Sequence, residues 1–574
     1  MRRLLALILA CALTPVIGLL PACGGGSGST DAAATATAAS GVEVDLKSTS
    51  LANPLAYIPS QCFTRTVDDA GRAHNPCFAC HVASQEPNYL DDGGLQQRYD
   101  FPGDTGAVIT NPWTNLFRDR AAALDAMGDS AILAWVRQDN YLKDGHPVLA
   151  HTLTRTLPPA WDVNGDGRWD GYIPDARFAF DAQGFDRTAD GGYSGWRAFA
   201  YAPFLGTFWP TNGATDDVLI RLAPALRQNE AGGFDLTAYR VNLAIVTALI
   251  QRRNVALETP ADETAWQVDL DQDGRLSTAH QVVFDWAPLQ GKLMHYVGRA
   301  RLEQQAGRLH LAAGLFPEGT EFLHSVRYLD MDETGGIRLA ARMKELRYAI
   351  KKSWYSYSDL REMALKEAKE KAVSPERTRQ FSGSAEVGLA NGQGWTYQGY
   401  IEDRSGTLRP QSFEETAFCI GCHSGIGATT DGVFAFPRKF GDASFRNSWY
   451  HWSQKDLTGV PDPMRRDGKP EYTHYLEQNG AGDEFRENSE VMSTFFNADG
   501  SLKPEAVARL RADVTTLLNP TRERALMLNK AYRLIVSEQS YAQGRDPTRT
   551  PARNVLRTVD QGRETGIATP ITGP

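Results

Sequence analysis

Past its first twenty residues the sequence has no stretch long and apolar enough to cross a membrane, which excludes a bundle of membrane-spanning helices. It also lacks a surplus of positive charge. Lys and Arg number 60 against 69 Asp and Glu, for a net charge of −9, and this argues against nucleic acid as a partner. Cysteine is scarce, with seven in 574 residues, and there is none between Ala160 and Gly383. Thiol chemistry is therefore confined to the two flanks. What remains, with 42% apolar and 22% charged residues, is the composition of a soluble globular protein with chain enough for large cores.

The one apolar run opens the chain. Met1-Arg2-Arg3 followed by Leu4 to Leu20 has the charged start and short hydrophobic segment of a secretory signal, interrupted by Pro15 and too short for a membrane span. Leu20-Pro21-Ala22-Cys23 resembles the bacterial lipobox, in which the signal is cut just before a cysteine that carries lipid, although Pro21 departs from the small residue usual there. The other reading is an ordinary secreted protein cut near Ala22. Residues 1–22 are thus expected to be a signal and 23–45 a tether, rich in Gly, Ser, Ala and Thr, with nothing to bury. Gly24 after the cysteine lacks the aspartate that marks inner-membrane retention of bacterial lipoproteins, so the resemblance implies anchorage to the outer membrane through lipid on Cys23.

Two pentapeptides carry the chemistry. Cys77-Phe78-Ala79-Cys80-His81 recurs as Cys419-Ile420-Gly421-Cys422-His423. A Cys-x-x-Cys pair alone is a zinc half-site, a dithiol redox pair or a haem site; the histidine that follows at once weighs towards haem. Two thiols at that spacing add across the vinyl groups of one haem, and the next side chain reaches the iron. In these ten residues the chain resembles c-type cytochromes. The resemblance implies two covalent haems, one on Cys77 and Cys80 and one on Cys419 and Cys422, with His81 and His423 as proximal ligands. Cys62 is left over, to be a buried inert thiol or a reactive one close to the first haem.

The pentapeptides stand 342 positions apart, and the chain divides accordingly. The expected fold class is α+β and multi-domain, with mainly helical haem-binding segments, 46–160 and 384–545, flanking a cysteine-free middle domain, 161–383. A Pro/Thr/Arg-rich strip, 546–574, is expected to follow the surface. Apolar periodicity predicts helices within Asn111–Gln138, broken at Gly128, at Leu236–Arg252, and over Lys503–Leu518 and Thr521–Glu538; Leu360–Lys371 reads as a solvated helix. Strands are predicted at Lys292–Arg299, Arg308–Leu315, Glu321–Leu329 and Trp395–Ile401. The aromatics Trp161, Trp169, Trp196, Phe204, Phe208 and Trp209 read as core. Sixth ligands for the first iron are sought among His74, Met127, His146 and His151, with His146 and His151 favoured; for the second, among His451, Met464 and His474, with His451 favoured for its aromatic neighbours.

The middle segment carries two aspartate-rich loops. Asp162, Asn164, Asp166 and Asp170 occupy alternate and ninth positions around Gly167, and Asp269, Asp271 and Asp273 do so around Gly274 with Ser277 ninth. Side chains so spaced converge on one calcium ion as in an EF-hand. Ile173 and His280 stand where the bidentate glutamate belongs, so another carboxylate is needed, Asp175 for the first loop. The alternative is a pair of solvated Asx turns.

Two functions fit. One is electron transfer by a dihaem cytochrome that docks on redox partner proteins and meets the membrane only through its lipid. The other is catalysis by an exported dihaem oxidoreductase similar to bacterial dihaem peroxidases, with one haem open to substrate.

Overall fold

Ten strands make one antiparallel sheet. In chain order they are β1 (Phe185–Arg187), β2 (Tyr193–Ala198), β3 (Thr215–Asp216), β4 (Leu219–Arg221), β5 (Glu321–Met331), β6 (Ile337–Lys351), β7 (Ser382–Ser384), β8 (Gly388–Ala390), β9 (Trp395–Glu402) and β10 (Leu408–Pro410). Their spatial order is β7-β8-β9-β6-β5-β4-β2-β1, with β10 beside β9 and β3 beside β5. The computed structural model describes residues 44–90, 92–103, 108–206, 209–441, 444–445, 449–480 and 488–573. The signal, most of the tether, Cys23 and Phe208 lie outside the described residues. Among those described, no helix is long and apolar enough to cross a membrane.

Strand periodicity sends successive side chains to opposite faces. Ile220, Phe322, Ala349 and Tyr397 face a layer that holds the helix Leu236–Gln251 and the helix Phe413–Cys422. Leu219, Leu323, Leu346 and Tyr400 face a second core with Trp169, Tyr172 and Trp196, where Tyr172 stacks on Tyr348 with ring centroids 3.9 Å apart. The mixed α and β character is as expected. Residues Asp45–Pro574 gather into one compact unit, and the stretches 46–160, 161–383 and 384–545 share the first of these cores through Ala56, Leu243 and Ile420.

Several elements differ from the sequence reading. The helices of the first region, Ala121–Asp125 and Asp129–Val136, split at Gly128 as expected, but they do not wrap the first pentapeptide. Ile132 and Val136 pack on Tyr328 of β5 and on Ile535 of the helix Arg522–Glu538. The first pentapeptide lies on a short 3-10 turn, Cys77–Ala79. Lys292–Arg299 and Arg308–Leu315 are not strands. A helix, Arg299–Gln305, begins where the first of them ends, and Leu309, Leu311 and Ala313 are buried without a ladder partner. The strip 546–574 is held: Thr558–Asp560 pairs with Val108–Thr110, and Ala552, Val555 and Val559 fill a core with Phe63 and Trp113. Nor does the reading contain β6, whose charges are buried in pairs: Arg342 with Glu402 at 2.8 Å, Arg347 with Glu345 at 2.9 Å and Lys351 with Asp431 at 2.5 Å.

The helix Phe413–Cys422 carries the second pentapeptide and is fixed at its start. Ser412 and Glu415 form a capping box, satisfying first-turn amides. Glu415 also takes both arms of Arg409 at 2.8 Å, in a buried pair. Burial alone would raise the Glu415 carboxyl; the Arg409 guanidinium more than offsets that and holds it below its usual range. Arg409→Ala strands that carboxylate, and the expected loss in urea unfolding is about 3–5 kcal/mol, whereas the double change Arg409→Met with Glu415→Leu costs far less. Equal losses for the single and double variants would contradict the pairing.

Candidate functional site

Both pentapeptides open into a single cavity of about 340 Å³, within the range of about 300–1,000 Å³ usual for a ligand site. The floor is the sheet: Phe322 and His324 of β5, Arg347 and Ala349 of β6, and Tyr397 of β9 all line it. These are alternate residues in register, His324 opposite Arg347, Phe322 opposite Ala349, and Ala349 opposite Tyr397. The roof is Cys77, Cys80 and His81 from one segment and Cys419, Cys422 and His423 from the other, with Tyr57 to Cys62 alongside.

Polar bonds join the two roof segments across the long sequence gap. The Ala428 amide donates to the Cys80 carbonyl at 3.1 Å. Asn88 donates to the carbonyls of Ile426 at 3.1 Å and Thr429 at 3.2 Å. Asp92 accepts from His81 Nδ1 at 2.7 Å with one oxygen and from the Gly427 amide at 3.4 Å with the other. The approach is so close that a Cβ at Gly427 would strike the Val82 carbonyl, and one at Gly421 would strike that of Tyr57. Only glycine allows main chains to pass at this separation.

The histidines are set up alike. His81 Nδ1 donates to the Asp92 carboxylate, and His423 Nδ1 donates to the Gly432 carbonyl at 2.7 Å. Each acceptor fixes the proton on Nδ1 and leaves the Nε2 lone pair for a metal, the arrangement by which proteins orient ligating imidazoles. Burial, aided by the Arg347 cation, pulls His423 down to about 4 and keeps it neutral. The thiols are also neutral: burial pushes Cys77 and Cys422 up to about 12, and Cys80 and Cys419 upward as well. This is the opposite of a reactive dithiol, whose thiolate is stabilised. Among the described residues no three thiol or imidazole ligand atoms lie within 4.8 Å of one another, so the cysteines do not form a tetrahedral zinc or iron–sulfur site. All four line one cavity with His81 and His423, and two thiols and one imidazole per group are the donor set that covalent haem takes.

None of the three favoured sixth ligands lies at the cavity. His146 and His151 are exposed, on the hairpin Leu142–Pro147 and the helix Val148–Arg155. His451 is buried, but Asp217 takes its Nε2 at 2.9 Å and Ser453 its Nδ1 at 2.6 Å, making it a satisfied core histidine. Of the other candidates, His74 is bonded to Asp68, Met127 packs near the helix Arg522–Glu538, and Met464 is 64% exposed. His474 is buried against the ring of Phe78 at 5.6 Å and does not line the cavity. Cys62 does line it, and burial raises its thiol well above the usual range. Sequence reasoning missed His324 and Arg347. The only signal for His324 was polarity at an inward position of an apolar strand, and Arg347 had none, lying in a stretch that reads as charged.

Each aspartate loop is braced by a glutamate from another segment, and among the described residues only the second gathers three carboxylates. In the second, Glu263 is buried and accepts from the amides of Leu270, Asp271 and Ser277. Oxygens of Glu263, Asp269 and Asp271 lie within 4.8 Å of one another, and Asp269 Oδ1 is buried without a partner. In the first, the buried Glu386 accepts from the amides of Val163 and Asp170 at 3.0 Å. Asp175, expected there, is occupied by Tyr172, Trp196 and Arg221. Asn164 donates to Asp170 at 2.9 Å, while Asp166 and Asp273 accept from amides within their own turns.

A lipoprotein family model matches residues 46–513. An uncharacterized lipoprotein of Aquifex aeolicus is 29% identical, over 99% of this chain and 97% of its own length. No solved structure matches the chain.

Asp92 joins the roof segments and aims His81 at once. Asp92→Ala is expected to lower stability in urea unfolding by about 1 kcal/mol, the cost of leaving half-buried donors unpaired; an unchanged midpoint would contradict the junction.

Proposed function

We propose, from the premise that the chain belongs to this lipoprotein family, that it is an exported, lipid-anchored dihaem c-type cytochrome that transfers electrons at the bacterial outer membrane. The observation that carries the reading is the convergence of four neutral thiols and two Nε2 lone pairs on one cavity. Cys77 and Cys80 would hold one haem, Cys419 and Cys422 the other, and His81 and His423 their irons. When bound, haem supplies one-electron exchange at iron. The chain supplies two imidazoles, a cationic Arg347 beside His423, and a shared enclosure that keeps both centres close. The carboxylate on His81 makes that imidazole the more basic ligand of the two, so the first centre is expected to have the lower potential. The acidic surface suits basic redox partner proteins.

A second reading is favoured by the polar floor. His324 and Arg347 line the cavity from the sheet, and a dihaem oxidoreductase would use such polar groups to bind a small substrate at an open iron face. An open iron is high-spin and takes up carbon monoxide; two six-coordinate irons do neither.

We further propose that Glu263, Asp269 and Asp271 hold calcium. Hard carboxylate oxygens on a turn of this kind suit that ion.

Protein matured with haem is expected to retain two haems per chain after extraction with acid and organic solvent. Replacing Cys77 and Cys80 together with serine is expected to leave one, counted as the pyridine complex. No retained haem in the native chain, or two in the variant, would overturn the assignment. For the cation, calcium at a hundredfold excess over its Kd is expected to add about 2.7 kcal/mol of stability, lost on chelation and in Glu263→Gln; a chelator-insensitive melting temperature would refute the site.

A further inference from the structure

We propose that His324 is the sixth ligand of the iron whose fifth ligand is His423, which rests on the dihaem reading and completes one of its centres. His324 stands on β5 on the face that floors the cavity, opposite Arg347 of β6. Its Nδ1 is buried and has no hydrogen-bond partner. The other histidines of this region are partnered: His81 by Asp92, His423 by Gly432, His451 by Asp217 and Ser453. Nδ1 is shut off from the cavity that His324 lines, so Nε2 is the ring nitrogen left to meet a group bound there, in a cavity that already holds two proximal histidines.

The ring is also kept in the form that binds metal. Burial lowers His324 to about 3, and Arg347 and His423 add to the effect, so it is neutral at any physiological pH. The choice of iron follows from the sheet. The His423 ring packs 5.1 Å from the Tyr397 ring, Tyr397 pairs with Ala349, and Ala349 is two residues from Arg347, the partner of His324. His423 and His324 therefore share one sheet face, two strands apart with β6 between them, and His423 is near enough to contribute to the lowering of His324. With both faces of that iron taken, it would exchange electrons without binding substrate, so the ligation separates the two readings above.

The test uses the full chain matured with haem. His324→Ala is expected to keep two covalent haems while one of them turns from low-spin to high-spin and binds carbon monoxide, and added imidazole is expected to restore it. In a chain that also carries Cys419→Ser and Cys422→Ser, His324→Ala is expected to change nothing in the spectrum of the remaining haem. The proposal is overturned if His324→Ala leaves both haems low-spin, if the spin change persists once the second haem is absent, or if the native protein already has an open iron at the second centre. Where the alanine variant does not fold, His324→Met decides: two low-spin haems with one potential raised support the ligation, and two unaltered potentials refute it. A native chain with no covalent haem is the separate result that defeats the dihaem reading itself.

Discussion

Everything at this site depends on a main-chain junction between segments that are remote in sequence. The bond from Ala428 to Cys80, the Asn88 fork and the shared Asp92 carboxylate pin the stretch after His423 to the stretch around His81. Each of these bonds has modest net strength, but they are buried together, and breaking one leaves a desolvated partner. Gly427 lets the chains come this near. Without the junction there would be two isolated Cys-x-x-Cys-His turns; with it there is one enclosure.

The sheet completes what the junction begins. β5 and β6 are long, lie side by side near the middle of the sheet, and give the cavity a rigid floor in which alternate residues face the same space. The cationic Arg347 is retained in that floor because Glu345 sits 2.9 Å away, and Glu345 is itself held by Arg545 at 2.7 Å. The Arg545 guanidinium also donates to the Glu415 carbonyl at 2.6 Å, in the first turn of the helix that carries Cys419 and Cys422. One buried charge network thus fixes both the floor and one half of the roof.

Local patterns in the sequence were sufficient for the elements that bury one kind of surface. Leu236–Gln251 is apolar nearly all round and is a buried helix; Trp395–Glu402 alternates and is a strand. Local patterns failed where partners are remote. β6 reads as a charged stretch because the residues that neutralise Arg342 and Lys351 are Glu402 and Asp431. The second aspartate loop looked incomplete because Glu263 precedes it, and the brace of the first, Glu386, comes from far beyond it. His324 has no sequence signature: one histidine in an apolar strand is legible only when its cavity is. The pentapeptides were legible because their chemistry is local, while their meeting was not, since Asn88 and Asp92 make it with amides and carbonyls more than three hundred positions away.

The strip that the sequence assigned to the surface bears on how the enclosure is assembled. Gln96 donates to the His81 carbonyl, and its side chain also bonds the Ile571 main chain at 2.7 and 2.8 Å while its carbonyl takes the Thr565 hydroxyl at 2.5 Å. Residues 565–571 therefore act as a latch behind the first pentapeptide. Gln96 thereby ties the ordering of the last residues to the position of the His81 main chain, so truncating this strip would loosen a segment almost five hundred positions upstream.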